Sequence, residues 1–216
     1  DLTSMSVEQL TFDASDHIIN GNFDWVYEEE FSIRDGFRWS PDGKKIAYWQ
    51  LDTSGSQDFI MINNTDELYP TLTRFPYPKV GETNPAAKVG MVDINSKKTT
   101  WAHLPGIARN MYVPRMDWAG NSKQVLIQHV NRKQDTNQLY YADVKTGELT
   151  KVILEQEETF LDFYRDAKWI DNGRAFIWQS ERSGWRHLYR ISRDGNTITD
   201  LTKGEFDIVS MQTIDE

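Results

Sequence analysis

The sequence predicts an all-β protein, a β-propeller fragment of about three to four four-stranded antiparallel blades with one short helix. Three segments share one order, in which a Trp precedes a turn rich in Asp, Asn or Gly and then an apolar strand; they cover 37–52, 115–131 and 167–181. A second hairpin follows each segment, at 89–104, 138–152 and 186–204. Tandem four-stranded units of roughly 40–50 residues are typical of propellers. A two-layer sandwich also contains many short strands and remains the alternative, but the recurring order favours the propeller.

The repeats divide residues 1–216 into a partial propeller. We expect the blades at 33–104, 112–153 and 163–204, and the start of a further blade at 205–216. A leading strand is predicted at 9–13. Three blades do not close a ring, and the chain begins DLTSMS without a Met, so we expect a piece of a larger propeller with unpaired edges.

The first blade contains an insertion. We predict that FIMIN, residues 59–63, continues the blade. Residues 69–85 contain four prolines, which cannot pair within a central strand, so this part is expected to form an extended arm or an edge hairpin. The Pro-rich arm, taken as 66–85, is either a long surface loop or a segment that contacts a partner.

Composition excludes several function classes. The net charge of −9 argues against a general nucleic-acid or anionic-membrane binder, because phosphates attract a basic surface. The chain has no cysteine and its four histidines lack metal-ligand spacing, so we predict no metal site and no cofactor. The chain contains no long apolar run, so we predict no membrane span. No G-x-S-x-G motif is present, so the residues encode no hydrolase nucleophile.

The stretch DWVYEEEF, residues 24–31, places three glutamates among aromatic residues. It is either a solvated acidic patch or a site for a cation. Adjacent side chains diverge by about 100° on a helix and face opposite sides of a strand, so Glu29 and Glu30 can converge only at a helical turn or an irregular segment. We therefore predict a short helix pinned by its aromatic residues, with Glu28 solvated or structural.

The segment NGNFDWVYEEEFSIRDGFRWSPDGKKIAYWQLD, residues 20–52, strongly resembles the propeller domain of dipeptidyl peptidase IV and its relatives, serine exopeptidases of the prolyl oligopeptidase class. Four further stretches agree with this family, at 69–85, 113–128, 179–191 and 198–209. The resemblance implies an eight-bladed propeller over a separate α/β-hydrolase domain. The catalytic Ser, Asp and His would then lie beyond residue 216, so no catalytic residue is expected in this chain and the fragment alone should be inactive.

The resemblance also implies roles for particular residues. Glu29 and Glu30 would bind the free amine of a peptide from which the parent enzyme releases an N-terminal dipeptide, Xaa-Pro or Xaa-Ala. Secondary substrate contacts fall at Phe163, Tyr164 and Arg165, and the arm would contact a second copy in a homodimer. The absence of cysteine is similar to bacterial members, which suggests the periplasm or cell envelope without excluding the cytoplasm. A non-catalytic propeller that acts as a protein-binding scaffold is the alternative.

Overall fold

Three antiparallel sheets of four or five strands follow one another along the described part of the chain, which agrees with the predicted all-β fold class. The structure is a computed structural model that describes residues 3–163 and 167–214. The first part contains β1 (Ile18–Asn20), helix α1 (Trp25–Glu29), β2 (Phe37–Trp39), β3 (Lys45–Asp52), β4 (Asp58–Asn63), β5 (Thr71–Pro76), β6 (Ala86–Asp93) and β7 (Thr99–Trp101). The second sheet contains β8 (Met111–Tyr112), β9 (Met116–Trp118), β10 (Gln124–Asn131), β11 (Thr136–Asp143) and β12 (Leu149–Gln156). The third contains β13 (Lys168–Ile170), β14 (Ala175–Ser180), β15 (His187–Ser192) and β16 (Ile198–Asp200).

The second blade is buried on both faces, which explains its dense apolar strands. On β10, Val125 and Ile127 pack into a core shared with the first blade. Leu126, between them, points to the opposite face and joins a second core that includes Phe176 and Trp178 of the third blade. Because successive side chains on a strand alternate between faces, a strand covered on both sides must be apolar at nearly every position.

A buried carboxylate also joins the second and third blades. Glu155 on β12 is buried and accepts hydrogen bonds from the indole Nε1 of Trp178 (3.2 Å) and the hydroxyl of Ser180 (2.7 Å). Arg182 forms an ion pair with the same carboxylate. A buried charge is tolerated when it is paired and hydrogen-bonded in this way. Arg182 therefore forms an ion pair between the second and third blades.

The prediction that FIMIN continues the first blade is wrong. Strand β4, which contains this segment, pairs only with β5 in a separate two-stranded hairpin among the described residues. The reason is that β3 has no free edge, since β1 and β2 pair along one side and β6 pairs along the other. Most side chains of β4 are accordingly exposed. The predicted Pro-rich arm, 66–85, contributes only β5 to this hairpin; from here on, the arm means the whole hairpin formed by β4 and β5.

The strand predicted near the start of the chain also differs from the structure. Residues 9–13 form no strand, and Asp13 instead accepts hydrogen bonds from Asn20 and Gln50 (both 2.8 Å), which attaches this segment to the first blade. Strand β1 lies outside the predicted first-blade range of 33–104 but belongs to its sheet. The described residues 205–214 contain no strand, so a further blade at 205–216 stays a prediction.

Helix α1 lies in a loop that interrupts the first strand of the first blade. We call this loop, residues 21–36, the excursion. Strands β1 and β2 pair with the same side of β3, and the chain leaves that line at Gly21 and returns at Gly36. The two glycines are joined to each other (Gly36 N–H to the Gly21 carbonyl, 3.2 Å) and to both backbone groups of Trp49 (2.9 and 3.0 Å). A Cβ on Gly36 would lie 2.4 Å from the carbonyl carbon of Gly21, so the closed neck requires glycine.

We expect Gly36→Ala to lower the free energy of unfolding of the 216-residue chain by about 3 kcal/mol or more, because the new methyl group must separate the two glycines and their hydrogen bonds. The measurement is urea unfolding followed by tryptophan fluorescence. Gly43→Ala is the matched control: Gly43 has φ +66 and open space around its Cβ position, so only backbone strain of about 1 kcal/mol is expected. Equal losses in both variants would show that the neck is not tightly closed.

Candidate functional site

Helix α1 begins at a capped turn. The carboxylate of Asp24, in extended backbone conformation, accepts a hydrogen bond from the N–H of Tyr27 (3.1 Å). Aspartate suits this position because its side chain satisfies an N–H group that has no partner within the helix. Glu30 follows the last helical residue and keeps helical angles (φ −71, ψ −40). The three glutamates therefore share one helical turn, which confirms the predicted short helix.

Aromatic side chains hold this helix against the blades. Tyr27 is 1% exposed, and its ring stacks on Phe23 (5.7 Å) and meets Phe31 edge-on (5.4 Å). A five-residue helix is unstable by itself in water, because nucleation costs more than so few hydrogen bonds return. The conformation that presents the glutamates is thus maintained by tertiary packing.

The excursion docks where the first strand of the second blade is interrupted, between β8 and β9. The N–H of Val113 donates to the hydroxyl of Tyr27 (3.2 Å), and its carbonyl accepts from the indole of Trp49 (2.9 Å). Arg115 donates to the carbonyl of Phe31 (2.7 Å). Side chains of the first blade and its excursion therefore satisfy the buried backbone that the strand break leaves open.

The glutamates differ in their surroundings. Glu28 forms an exposed ion pair with Arg34 (3.4 Å), which fits a structural role. Glu29 and Glu30 are exposed, and within residues 3–163 and 167–214 neither forms an ion pair. These two neighbouring carboxylates remain available to a cation. Whether they bind an amine stays a prediction.

Glu30 lies close enough to the second blade to affect its electrostatics. Burial raises the pKa of Tyr112 on β8, and the negative charge of Glu30 adds to this rise. Arg132, whose guanidinium lies 5.8 Å from the centre of the Tyr112 ring, opposes it. The ring of Tyr112 lies 5.3 Å from that of Phe31, the residue after Glu30, so a tyrosine that the sequence analysis did not assign to the site borders the acidic turn.

The segment before the third blade also approaches the excursion. The ring of Phe163 lies 5.5 Å from that of Phe31, edge to face, and Phe31 is the residue that follows Glu30. Its predicted partners Tyr164 and Arg165 lie outside the described residues. The structure therefore brings one of the three predicted secondary residues to the acidic turn.

The arm meets the opposite end of helix α1, a contact that sequence reasoning missed. The ring of Tyr77, just after β5, lies 4.4 Å from the ring of Trp25, the first residue of the helix. Tyr77 in turn packs against Phe59 of the arm (5.4 Å). The one available signal was an aromatic residue within the Pro-rich segment, and nothing in the sequence indicated its partner.

Metal binding and membrane insertion find no support in the part of the chain that is described. No three His, Cys, Asp or Glu side chains there are grouped closely enough to hold a metal ion. No helix within the same residues has the length and apolar character needed to cross a membrane.

Comparison with known proteins identifies the family. The family profile described as "Dipeptidyl peptidase IV (DPP IV) N-terminal region" matches residues 1–216. In the solved structure of Porphyromonas gingivalis dipeptidyl peptidase 4, the matching region superposes with a TM-score of 0.85 at 28% sequence identity, over 94% of this chain and 29% of that one. This match agrees with the predicted propeller.

Two curated relatives give the same result. Dipeptidyl peptidase 4 of Trichophyton rubrum is 29% identical over 96% of this chain and 28% of the relative. Inactive dipeptidyl peptidase 10 of Mus musculus is 26% identical over 100% of this chain and 29% of the relative. The chain thus spans less than a third of the length of the proteins it matches, and these relatives include both a named peptidase and a protein named inactive.

The buried carboxyl group of Asp24 should make the free energy of unfolding depend on pH. Burial raises the pKa of Asp24 from 3.8 to about 6. The folded state therefore binds a proton more tightly than the unfolded state, so the stability contributed by this group is complete below pH 3.8 and is lost as the pH rises through 6. Asn caps without titrating, so between pH 4 and 7 the stability of wild type should fall relative to Asp24→Asn by on the order of 2–3 kcal/mol.

Urea unfolding across this pH range measures the effect. Asp24→Ala is the control: it also removes the hydrogen bond to Tyr27, so it should be less stable than Asp24→Asn by about 1 kcal/mol at every pH. A difference between wild type and Asp24→Asn that stays constant from pH 4 to 7 would contradict the raised pKa of Asp24.

Proposed function

The chain belongs to the dipeptidyl peptidase IV N-terminal region family, and on that premise we propose that it is the propeller portion of a serine-type dipeptidyl peptidase, in which Glu29 and Glu30 bind the free α-amino group of the substrate. The observation that carries this proposal is the pair of exposed, adjacent carboxylates on a capped helix that is buried on its other side. A merely solvated acidic patch would not require that support.

The chemistry suits an α-amino group. With a pKa of about 8, such a group is mostly cationic at neutral pH and offers three N–H donors. Carboxylates accept charge-assisted hydrogen bonds from it that are stronger than neutral ones. Arg34 pairs with Glu28, whereas Glu29 and Glu30 have no ion pair among the described residues and are the carboxylates proposed to bind the ligand.

Amine binding would also determine which peptide bond is cleaved. Two extended residues span about 7 Å, so a fixed amine places the second peptide bond at a constant distance from the propeller. The Ser, His and Asp nucleophilic machinery would belong to the hydrolase domain of the same full-length protein. Release of Xaa-Pro or Xaa-Ala, and a location in the bacterial periplasm or cell envelope, are further parts of this proposal.

A non-catalytic scaffold is the second candidate, and the match to a mouse relative named inactive favours it. The two candidates differ at one position, the serine of a G-x-S-x-G motif in the rest of the full-length protein. Its presence supports the peptidase. Its absence leaves a propeller that binds peptides or proteins without cleaving them.

In the full-length protein, Glu29→Gln and Glu30→Gln should each raise the KM for Ala-Pro-p-nitroanilide by about tenfold or more, since each removes a charged acceptor worth about 1.5–3 kcal/mol. Steady-state kinetics and binding of Ala-Pro by calorimetry provide the measurement. Glu28→Gln, which breaks only the pair with Arg34, should leave the KM unchanged. The proposal would be falsified if the three variants behaved alike.

The arm is proposed to join two copies of the protein. Its strands pair only with each other within the described residues, and its apolar side chains are unusually exposed, with Ile62 at 61% and Leu72 at 57%. Exposed apolar surface of this kind is typical of protein contacts. The two residues are cross-strand partners, so they lie side by side on one face of the arm.

We expect Ile62→Lys and Leu72→Lys to convert the dimer of the full-length protein to monomer, because a dimer would bury the added charges. Light scattering coupled to size-exclusion chromatography measures the mass. Ile107→Lys is the control, since Ile107 is equally exposed (68%) but lies outside the arm. A wild-type monomer, or a dimer that survives both arm substitutions, would disprove the arm contact.

A further inference from the structure

We propose that Tyr77, at the base of the arm, is a positioning residue that acts through Trp25 to fix the direction of Glu29 and Glu30. This inference rests on the proposed function of the two glutamates as the amine-binding pair. The ring centres of Tyr77 and Trp25 lie 4.4 Å apart, with 38° between the ring planes. Both side chains are half-buried, so the contact is sheltered without being part of a main core.

The position of Trp25 gives this contact control over the glutamates. Trp25 begins helix α1 and Glu29 ends it, four residues later. Residues four apart lie on the same face of a helix, so the ring contact and the Glu29 side chain share one face. Tyr27, on a different face, is fixed by its hydrogen bond to Val113. Two attachments on different faces prevent such a short helix from rotating about its axis.

Tyr77 is itself held firmly. Its ring packs against Phe59 and Phe75, which are cross-strand partners in the arm, and its N–H donates to the carbonyl of Gln57 (2.9 Å). Aromatic pairs of this kind contribute about 0.5–1.5 kcal/mol beyond their buried area. The base of the arm therefore presents Tyr77 as a fixed surface for the helix.

One arginine joins the two ends of the insertion and so anchors the arm to the first blade. Arg109 donates to the backbone carbonyls of Asp52 and Asn84, one on each side of the insertion (both 3.0 Å), and pairs with the carboxylate of Asp52 (2.9 Å). One guanidinium thus holds both ends of the segment that contains Tyr77. The arm has a defined base from which the aromatic contact can act.

The insertion that contains Tyr77 also contacts the second blade next to the acidic turn. Arg132 donates to the carbonyl of Glu82 (3.2 Å), beyond Tyr77 in the insertion, and its guanidinium lies over Tyr112. The charge of Glu30 acts on that same tyrosine. The insertion is therefore linked to the acidic turn twice: directly through Trp25, and through Arg132 and Tyr112, whose ring lies 5.3 Å from that of Phe31.

The test uses the full-length protein and two ligands that differ only in the amine: the dipeptide Ala-Pro and its des-amino analogue propanoyl-proline. Calorimetry should show that Tyr77→Ala weakens Ala-Pro binding by about three- to tenfold, the range expected for one aromatic contact, and leaves propanoyl-proline binding unchanged. Tyr77→Phe keeps the ring and should restore wild-type binding. Should Tyr77→Ala not fold, Tyr77→Leu, which keeps an apolar side chain, takes its place with the same expectation.

Val80→Ala is the matched control, because Val80 is fully exposed three residues beyond Tyr77. Equal weakening of both ligands, or equal weakening by Val80→Ala, would mean a general structural role and would overturn the inference. So would unchanged Ala-Pro binding in Tyr77→Ala while Glu29→Gln and Glu30→Gln reduce it. If the glutamate variants bind Ala-Pro as wild type does, the proposed function fails and this inference fails with it.

Discussion

The candidate site depends on one hydrogen bond, from the N–H of Val113 to the hydroxyl of Tyr27. It joins the excursion from the first blade to the strand break of the second. Trp49 satisfies the carbonyl of the same residue, so a single peptide segment is held by two side chains from the neighbouring blade and its excursion. Leaving either group unpaired in this buried place would cost about 1–3 kcal/mol. The acidic turn and the interface between blades are for this reason one structural unit.

The acidic turn is supported by a core in which the excursion packs against two blades. The first core contains side chains of the excursion together with those of the first and second blades. A close-packed core of this kind resists small displacements, because any shift opens voids or creates overlaps. A helix with Tyr27 embedded in this core can present glutamates in a constant direction, which a surface loop of equal length could not do.

The sequence was informative where one local rule decided the outcome. The dense apolar residues of the second Trp-turn-strand segment predicted the strand that became β10, and the structure explains them, because alternate positions face different cores. The glutamate run predicted a helix because adjacent side chains can converge in few other ways. The sequence failed where the outcome depended on which edges were already occupied. FIMIN has strand composition, but β3 offered it no free edge, and only the assembled sheet reveals this. The contact of Tyr77 could not be predicted for a different reason, since its partner Trp25 lies 52 residues earlier in the chain.

The distribution of satisfied and unsatisfied groups argues for function at the acidic turn. Around helix α1 the structure pairs the Asp24 cap with Tyr27, Glu28 with Arg34, and the carbonyl of Phe31 with Arg115. The two carboxylates that follow Glu28 have no such ion pair among the described residues, in a chain with a net charge of −9. Repulsion between neighbouring acidic groups opposes this arrangement, and a cationic ligand would remove the repulsion. The proposal of a cation site rests on this combination: a helix that many contacts hold in place, and two exposed carboxylates with no ion pair among the described residues.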